Sequence, residues 1–234
     1  MAVANISAAA ASERRKPKFA GAMSGPLAAL LIMIGIGALV SPQFLTEYNL
    51  TIMSRELAFI GIVAIAQGLL LLLGDIDVSI GAIAGLAGIV CAKLLVDFDF
   101  HPVIAILAGL GTGALAGAVN GLIITIFNLN SLVVTIGTLS VFSGLNLWIT
   151  KGQTIVGLPE AVTFFGSGTW LSLPVPVWCM LAAFVLILAL TTITVFGRKL
   201  YAVGNSKEAA RIVGINEQRV RVRAYAIAGA LAGL

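Results

Sequence analysis

The sequence predicts an all-α, polytopic membrane helix bundle of about six spans plus the start of another. Of its 234 residues, 59% are hydrophobic and 10% are charged, whereas a soluble domain carries about a quarter charged residues. Mean hydropathy is +1.08. Several apolar runs reach the roughly 20 residues that a helix rising about 1.5 Å per residue needs to cross a bilayer core. No segment of about ten residues alternates apolar with polar as a membrane barrel strand must, so helices are the way left to satisfy the backbone in lipid. A single soluble core is excluded.

Residues 1–25 read as a cytoplasmic basic tail carrying "ERRKPK" (13–18). The tail and the apolar segment 26–40 resemble a signal peptide, but no small-residue cleavage site follows, so the segment is expected to stay as the first span. Further spans are expected at 57–74, 78–96, 103–127, 131–150 and 175–196, making 26–196 the membrane domain. Residues 197–223 form a cytoplasmic loop, and "AYAIAGALAGL" (224–234) starts an apolar segment too short to span, so the chain is expected to be truncated there. Of fourteen basic residues, four lie in 13–18 and seven in 197–223. Six spans put both blocks on the cytoplasmic side, as the positive-inside rule requires. The outer loops then hold Arg55 with Glu47 and Glu56, Asp97, Asp99 and His101, and Lys151 and Glu160. Trp148, Trp170 and Trp178 flank the outer loop 151–174, at the headgroup level that amphipathic rings prefer.

No cofactor or metal is expected. Cys91 and Cys179 sit singly inside apolar runs and read as small core residues, and His101 is a loop histidine before Pro102. No lysine follows a glycine, so the loop that cradles nucleotide phosphates is absent and the chain is not itself an enzyme. The basic blocks are explained by membrane topology, and no nucleic-acid partner is expected.

Gly109, Gly113, Gly117 and Gly121 recur every four residues and line one face of the fourth span, where another helix can approach closely. Gly81 and Gly85 repeat the spacing in the third span, and "GALAG" occurs at both 113–117 and 229–233. In the fifth span Ser131, Thr135, Thr138, Phe142 and Asn146 share a face. Hydroxyls, an amide and an aromatic ring suit a polyhydroxylated solute, which makes Thr135, Thr138, Phe142 and Asn146 candidates for its path. The alternative is that they bond their own preceding carbonyls and join helices.

Asp75 and Asp77 stand in "GDID", at the turn between the second and third spans or in a break within the membrane. Asp77 fits as the cap of the third span, where a carboxylate accepts amide bonds and meets the helix dipole, with a direct place in the solute path as the alternative. In the loop, Asn205 is placed to cap a short helix with Glu208 at its third position; Ala209, Ala210 and Arg211 favour the helix and Gly214 ends it. So short a helix needs something to pack against, a partner protein being one candidate.

At these motifs the chain resembles the permease subunit of sugar-type ATP-binding-cassette importers, the family of ribose, xylose and related monosaccharide permeases. "EAARIVG" (208–214) resembles that family's EAA-and-glycine core, "GDIDVSIGAIAGLAG" (74–88) its Ile-Asp-Leu-Ser signature, and "VVTIGTLSVFSGLNLWITKGQTI" (133–155) its Thr-Leu-Gly-Thr segment. The chain departs from the family pattern at Asp75, where a second glycine is usual, at Asn130 and Ser131, where prolines are frequent, and at Ser143, where arginine is common. The resemblance implies a transmembrane subunit that moves a monosaccharide or similar solute across the bacterial inner membrane, with its N-terminus cytoplasmic. It implies that 205–214 is the coupling helix for a cytoplasmic ATP-binding subunit, and that a second permease subunit, identical or not, and a periplasmic solute-binding protein complete the assembly. Two rivals stand beside it: an ion-coupled secondary transporter or channel using Asp75 and Asp77, and a truncated, non-transporting remnant.

Overall fold

The computed structural model describes residues 19–234, with side chains from Gly25 onward. The basic cluster at 13–18 lies outside the described residues. The described residues divide after Leu50 into two compact units. In the first, α1 (Phe19–Val40) is followed by a tight connection. There the Asn49 amide donates to the Phe44 carbonyl at 2.7 Å and the Thr46 hydroxyl donates to that of Gln43 at 2.7 Å. The next helix, α2 (Glu47–Leu71), starts well before the expected position 57, because Glu47 and the polar residues after it extend the apolar segment as helix.

The second unit continues with α3 (Ile80–Val96), α4 (Pro102–Ile126) and α5 (Ser131–Thr150). The expected loop 151–174 instead contains α6 (Glu160–Ser167) and an antiparallel pair, β1 (Thr169–Trp170) with β2 (Leu173–Pro174). Trp178 packs edge-on against Trp170 and donates to its carbonyl at 3.1 Å. Then come α7 (Val175–Thr192), α8 (Val195–Asn205), α9 (Lys207–Ile212) and α10 (Glu217–Ala232). Among the described residues, α2, α4, α5 and α7 are long and apolar enough to cross a membrane, while α3 and the stretch Gly25–Val40 of α1 are shorter apolar helices. The chain is an all-α membrane helix bundle.

The glycine face of α4 receives two neighbours. Gly109 faces α3, where a Cβ would stand 3.2 Å from the Ala87 carbonyl oxygen. Gly113 and Gly117 face α10 so closely that a Cβ would collide with the carbonyl oxygens of Gly229 and Tyr225, and a Cβ on Gly229 would collide in turn with that of Gly113. The two "GALAG" copies are thus facing surfaces of adjacent helices. Gly121 completes the face, 2.9 Å from Val222 Cα by the same measure. Leu107, Leu115, Leu122 and Ile126, on the other side of α4, are exposed apolar residues of the kind lipid covers. Gly81 does not belong to a packing face: it is exposed, and a Cβ there would meet open space.

Helix α10 begins at Glu217, seven positions ahead of the expected segment 224–234, so the expected loop 197–223 holds most of α8, all of α9 and the first turns of α10. One apolar cluster joins Leu69, Leu70 and Leu73 at the end of α2 to Leu200 and Val203 of α8, Ala210 of α9 and Val220, Ala224 and Tyr225 of α10. It brings α9 and the break after α2 onto one core. A second cluster, Ala82, Ile83, Leu86, Ala116 and Phe142, holds α3, α4 and α5 together.

Candidate functional site

Between α2 and α3 the chain leaves helical geometry for residues 72–79. The stop is a Schellman turn: the Gly74 N–H donates to the Leu71 carbonyl at 3.0 Å and the Asp75 N–H to that of Leu70 at 3.1 Å. Gly74 supplies the left-handed residue the motif needs, at φ +75°. The next four amides have no carbonyl to meet, and side chains take them. Ile76 donates to Ser131 Oγ at 3.3 Å, Asp77 to Gln67 Oε1 at 3.2 Å, Val78 to Thr135 Oγ1 at 3.3 Å and Ser79 to Asp77 Oδ1 at 2.7 Å. Backbone amides that leave the helical ladder need other partners, and each of these four has one, the Ser79 bond buried and the other three partly buried.

The side chains of the break are equally committed. Asp77 Oδ1 also accepts from the Ser79 hydroxyl at 2.6 Å, and Asn120 of α4 donates to Ser79 Oγ at 2.8 Å and to Asp77 Oδ2 at 3.4 Å. Asp77 therefore organises the start of α3 from two residues back, while Ser79 occupies the cap position that the sequence reading gave to Asp77. A carboxylate acting through an Asx-type bond needs that offset. Asp75 lies 2.9 Å from Arg221 of α10, an ion pair in which the acid is 6% and the base 3% exposed. The Oδ2–Nε contact is an ion contact whose angle falls short of a hydrogen bond.

The short helix α9 lies on the same core. Its cap is Ser206, whose hydroxyl oxygen accepts the Ala209 N–H at 3.2 Å, and not Asn205, which closes α8. Ser206 is free to cap because its backbone is extended, whereas Asn205 still has helical bonds to make. Glu208 Oε2 accepts from the Ser206 hydroxyl at 3.3 Å. Bonding to its own backbone amide, and then to Ser206, holds the Glu208 carboxyl below the usual glutamate value. Ala210 is buried in the apolar cluster, and Ala209 is exposed. A second Schellman turn at Gly214, φ +76°, ends the helix, with Gly214 donating to Arg211 at 3.0 Å and Ile215 to Ala210 at 2.9 Å. Just before it, Ile212 and Val213 are 86% and 72% exposed. Arg211 pairs with Glu217 at 3.0 Å. A polar cleft of about 360 Å³ opens beside Gly214, lined by Lys199, Arg219 and Arg223 among others.

The candidate path residues of α5 are drawn into packing. Thr135 is fully buried and serves the break; Phe142 belongs to the α3–α4–α5 cluster; Asn146 donates to the Ala82 carbonyl at 3.1 Å. Thr138, half-buried, bonds the carbonyl of Thr135 at 3.4 Å. Thr135, Phe142 and Asn146 thus make contacts that join α5 to its neighbours, while Thr138 bonds its own helix. Sequence reasoning missed Gln67, Asn120 and Arg221 as members of the site; each is a polar or charged residue within a helix that packs at its core.

Residues 49–234 match the family model described as "Branched-chain amino acid transport system / permease component". The chain belongs to this permease family. It is 38% identical over 227 residues to the ribose import permease protein RbsC of Bacillus subtilis (strain 168), covering 95% of this chain and 70% of that protein. It is 30% identical over 210 residues to the L-arabinose ABC transporter permease protein AraH of Azospirillum brasilense, covering 90% and 62%. To RbsC of Escherichia coli (strain K12) it is 32% identical over 212 residues, covering 89% and 66%. The chain thus spans 62–70% of these relatives' lengths. No solved structure matches it significantly.

Proposed function

We propose that this permease is the transmembrane subunit of an ATP-driven importer that carries a monosaccharide or similar polyhydroxylated solute across the bacterial inner membrane, with its N-terminus cytoplasmic. Helix α9 is the docking point for a separate ATP-binding subunit, which performs the hydrolysis. A second permease subunit, the same chain or another, closes the path, and a periplasmic solute-binding protein delivers the solute. The observation that carries the reading is α9 itself: a six-residue helix, fixed by Ser206 and Gly214, that buries Ala210 and leaves Ile212 and Val213 open at its end. A helix that short does not persist alone in water, so its fixed position and the open aliphatic pair at its end support a partner that covers it.

The solute class follows the relatives, whose names specify ribose and arabinose, although the family description names branched-chain amino acids. Nucleotide works by binding one conformation of the assembly more tightly than the other, because a ligand shifts an equilibrium only by its differential affinity. The full assembly in proteoliposomes, offered labelled ribose, arabinose or leucine with the solute-binding protein outside and ATP inside, tests the reading. Sugar uptake that needs ATP is expected. Leucine uptake, or sugar uptake driven by a proton or sodium gradient without ATP, would overturn it.

A further inference from the structure

We infer that Arg211, Glu217, Arg221 and Asp75 form a relay of ion pairs that transmits movement of α9 to the broken helix inside the bundle. The inference rests on the docking role given to α9 above. The links are continuous. Arg211 Nη2 of α9 lies 3.0 Å from Glu217 Oε2, and Lys207 Nζ lies 3.8 Å from Glu217 Oε1. Glu217 Oε1 lies 3.5 Å from Arg221 Nη1, one turn along α10, and Arg221 Nε lies 2.9 Å from Asp75 Oδ2. The series runs from the surface to the interior: the side chain of Arg211 is 69% exposed, and those of Glu217, Arg221 and Asp75 are 7%, 4% and 9% exposed.

A buried pair of opposite charges is a poor source of stability, since desolvation offsets most of its attraction. It is a strong positional constraint, because separating the charges leaves each one buried and unpaired. Arg221 is held by carboxylates on two sides, Glu217 on its own helix and Asp75 on the break, so it cannot move with one and leave the other without that cost. The break is the segment able to respond. It has no helical ladder, and its amides hang on the side chains of Ser131, Gln67 and Thr135, at 3.2–3.3 Å. A shift of α9 reaches α3 and α5 by this route without passing through the glycine-packed contact of α4 with α10, which is in backbone contact and cannot slide freely. Asp75, Glu217 and Arg221 are therefore positioning residues, acting through the break and not on the solute.

The test is a double-mutant cycle on residues that make no ion pair with each other, Asp75→Asn and Arg211→Gln, in the full chain assembled with its ATP-binding subunit. The relay predicts that the two shifts in Tm fall short of additivity by about 1–2 °C, most of the effect of Arg211→Gln alone. It also predicts that Asp75→Asn lowers uptake per ATP hydrolysed by about three- to thirtyfold with docking and hydrolysis retained. Asp75→Glu should restore the ratio. Additive shifts, or an unchanged ratio in Asp75→Asn, would overturn the relay. If Asp75→Asn does not assemble, Glu217→Gln with Arg211→Gln tests the outer links by the same ratio, the double variant being no worse than Glu217→Gln alone. Wild-type uptake indifferent to ATP would overturn the importer reading itself, an outcome distinct from a coupled wild type whose variants stay coupled.

Discussion

Two helix stops in this chain are built alike and lead to different places. After Leu70 and after Ala210 the backbone closes the same pair of hydrogen bonds around a left-handed glycine, Gly74 in one and Gly214 in the other. Beyond Gly74 each amide from Ile76 to Ser79 is taken by a side chain, and Asp75 is paired with a buried arginine. Beyond Gly214 one side chain, Asn216, caps the next helix at 2.9 Å, and Ile212 and Val213 stand open. The difference is the medium. Water completes an exposed turn, whereas a turn packed among helices must be completed by residues from its neighbours. Ser131 and Thr135, at the start of the polar face of α5, do this for Ile76 and Val78.

The comparison is broken most severely by removing the buried arginine. Arg221→Met leaves Asp75 and Glu217 buried without their shared partner, and a loss of about 3–5 kcal/mol is expected from unfolding in detergent. Arg211→Gln, at the exposed end, should cost less than about 1 kcal/mol. Equal losses would mean that the two ends of the ion network do not differ in burial as described. Next in size, Thr135→Val keeps the volume but takes away the acceptor of the Val78 N–H, and about 1–3 kcal/mol is expected. A variant as stable as the wild type would show that α5 is not completing the break.

The two glycines sharpen the comparison. Gly74→Ala and Gly214→Ala each impose a left-handed conformation on alanine, at about 1–2 kcal/mol. At Gly74 the strain falls on the packed core and should lower the Tm. At Gly214 it can be released locally, so the expected signature is faster hydrogen exchange over 207–213 with the Tm nearly unchanged. The smallest effect concerns pH. The folded carboxyl of Glu208 sits below its ordinary value of 4.5, so its bonds to the helix start are fully present above that value and are lost as pH falls through the lowered one. A spin label introduced by Val213→Cys, with Cys91 and Cys179 replaced by alanine, should gain mobility below pH 4.5 in the wild type and not in Glu208→Gln.

Helix existence was legible wherever composition alone decides it: the apolar runs mark the spans, and the four-residue spacing from Gly109 to Gly121 marks a packing face. That α10 would fill this face was foreshadowed by the second "GALAG" and by nothing else. Cap positions slipped by one or two residues, from Asn205 to Ser206 and from Asp77 to Ser79, because Asn, Ser and Asp all suit a helix start and the register is set by where the preceding turn ends. The role of Thr135 was open between solute and helix contact, since a hydroxyl in a membrane span serves either, and the partner that decides it is a backbone amide some 57 positions earlier in the chain. Arg221 was not legible as a buried residue. It sits in a stretch that reads as a solvated basic loop, and of the two carboxylates that justify its burial one, Asp75, comes from the break far earlier in the chain.

The account turns on α9 being the surface that an ATP-binding subunit grips. With Cys91 and Cys179 replaced by alanine, a single reactive position is introduced by Ile212→Cys, or by Leu115→Cys on the exposed apolar face of α4, and the assembled complex is treated with a short crosslinker. The account predicts a crosslink to the ATP-binding subunit from position 212, altered by nucleotide, and none from position 115. A position 212 that stays unlinked in a complex that hydrolyses ATP and imports sugar would contradict it.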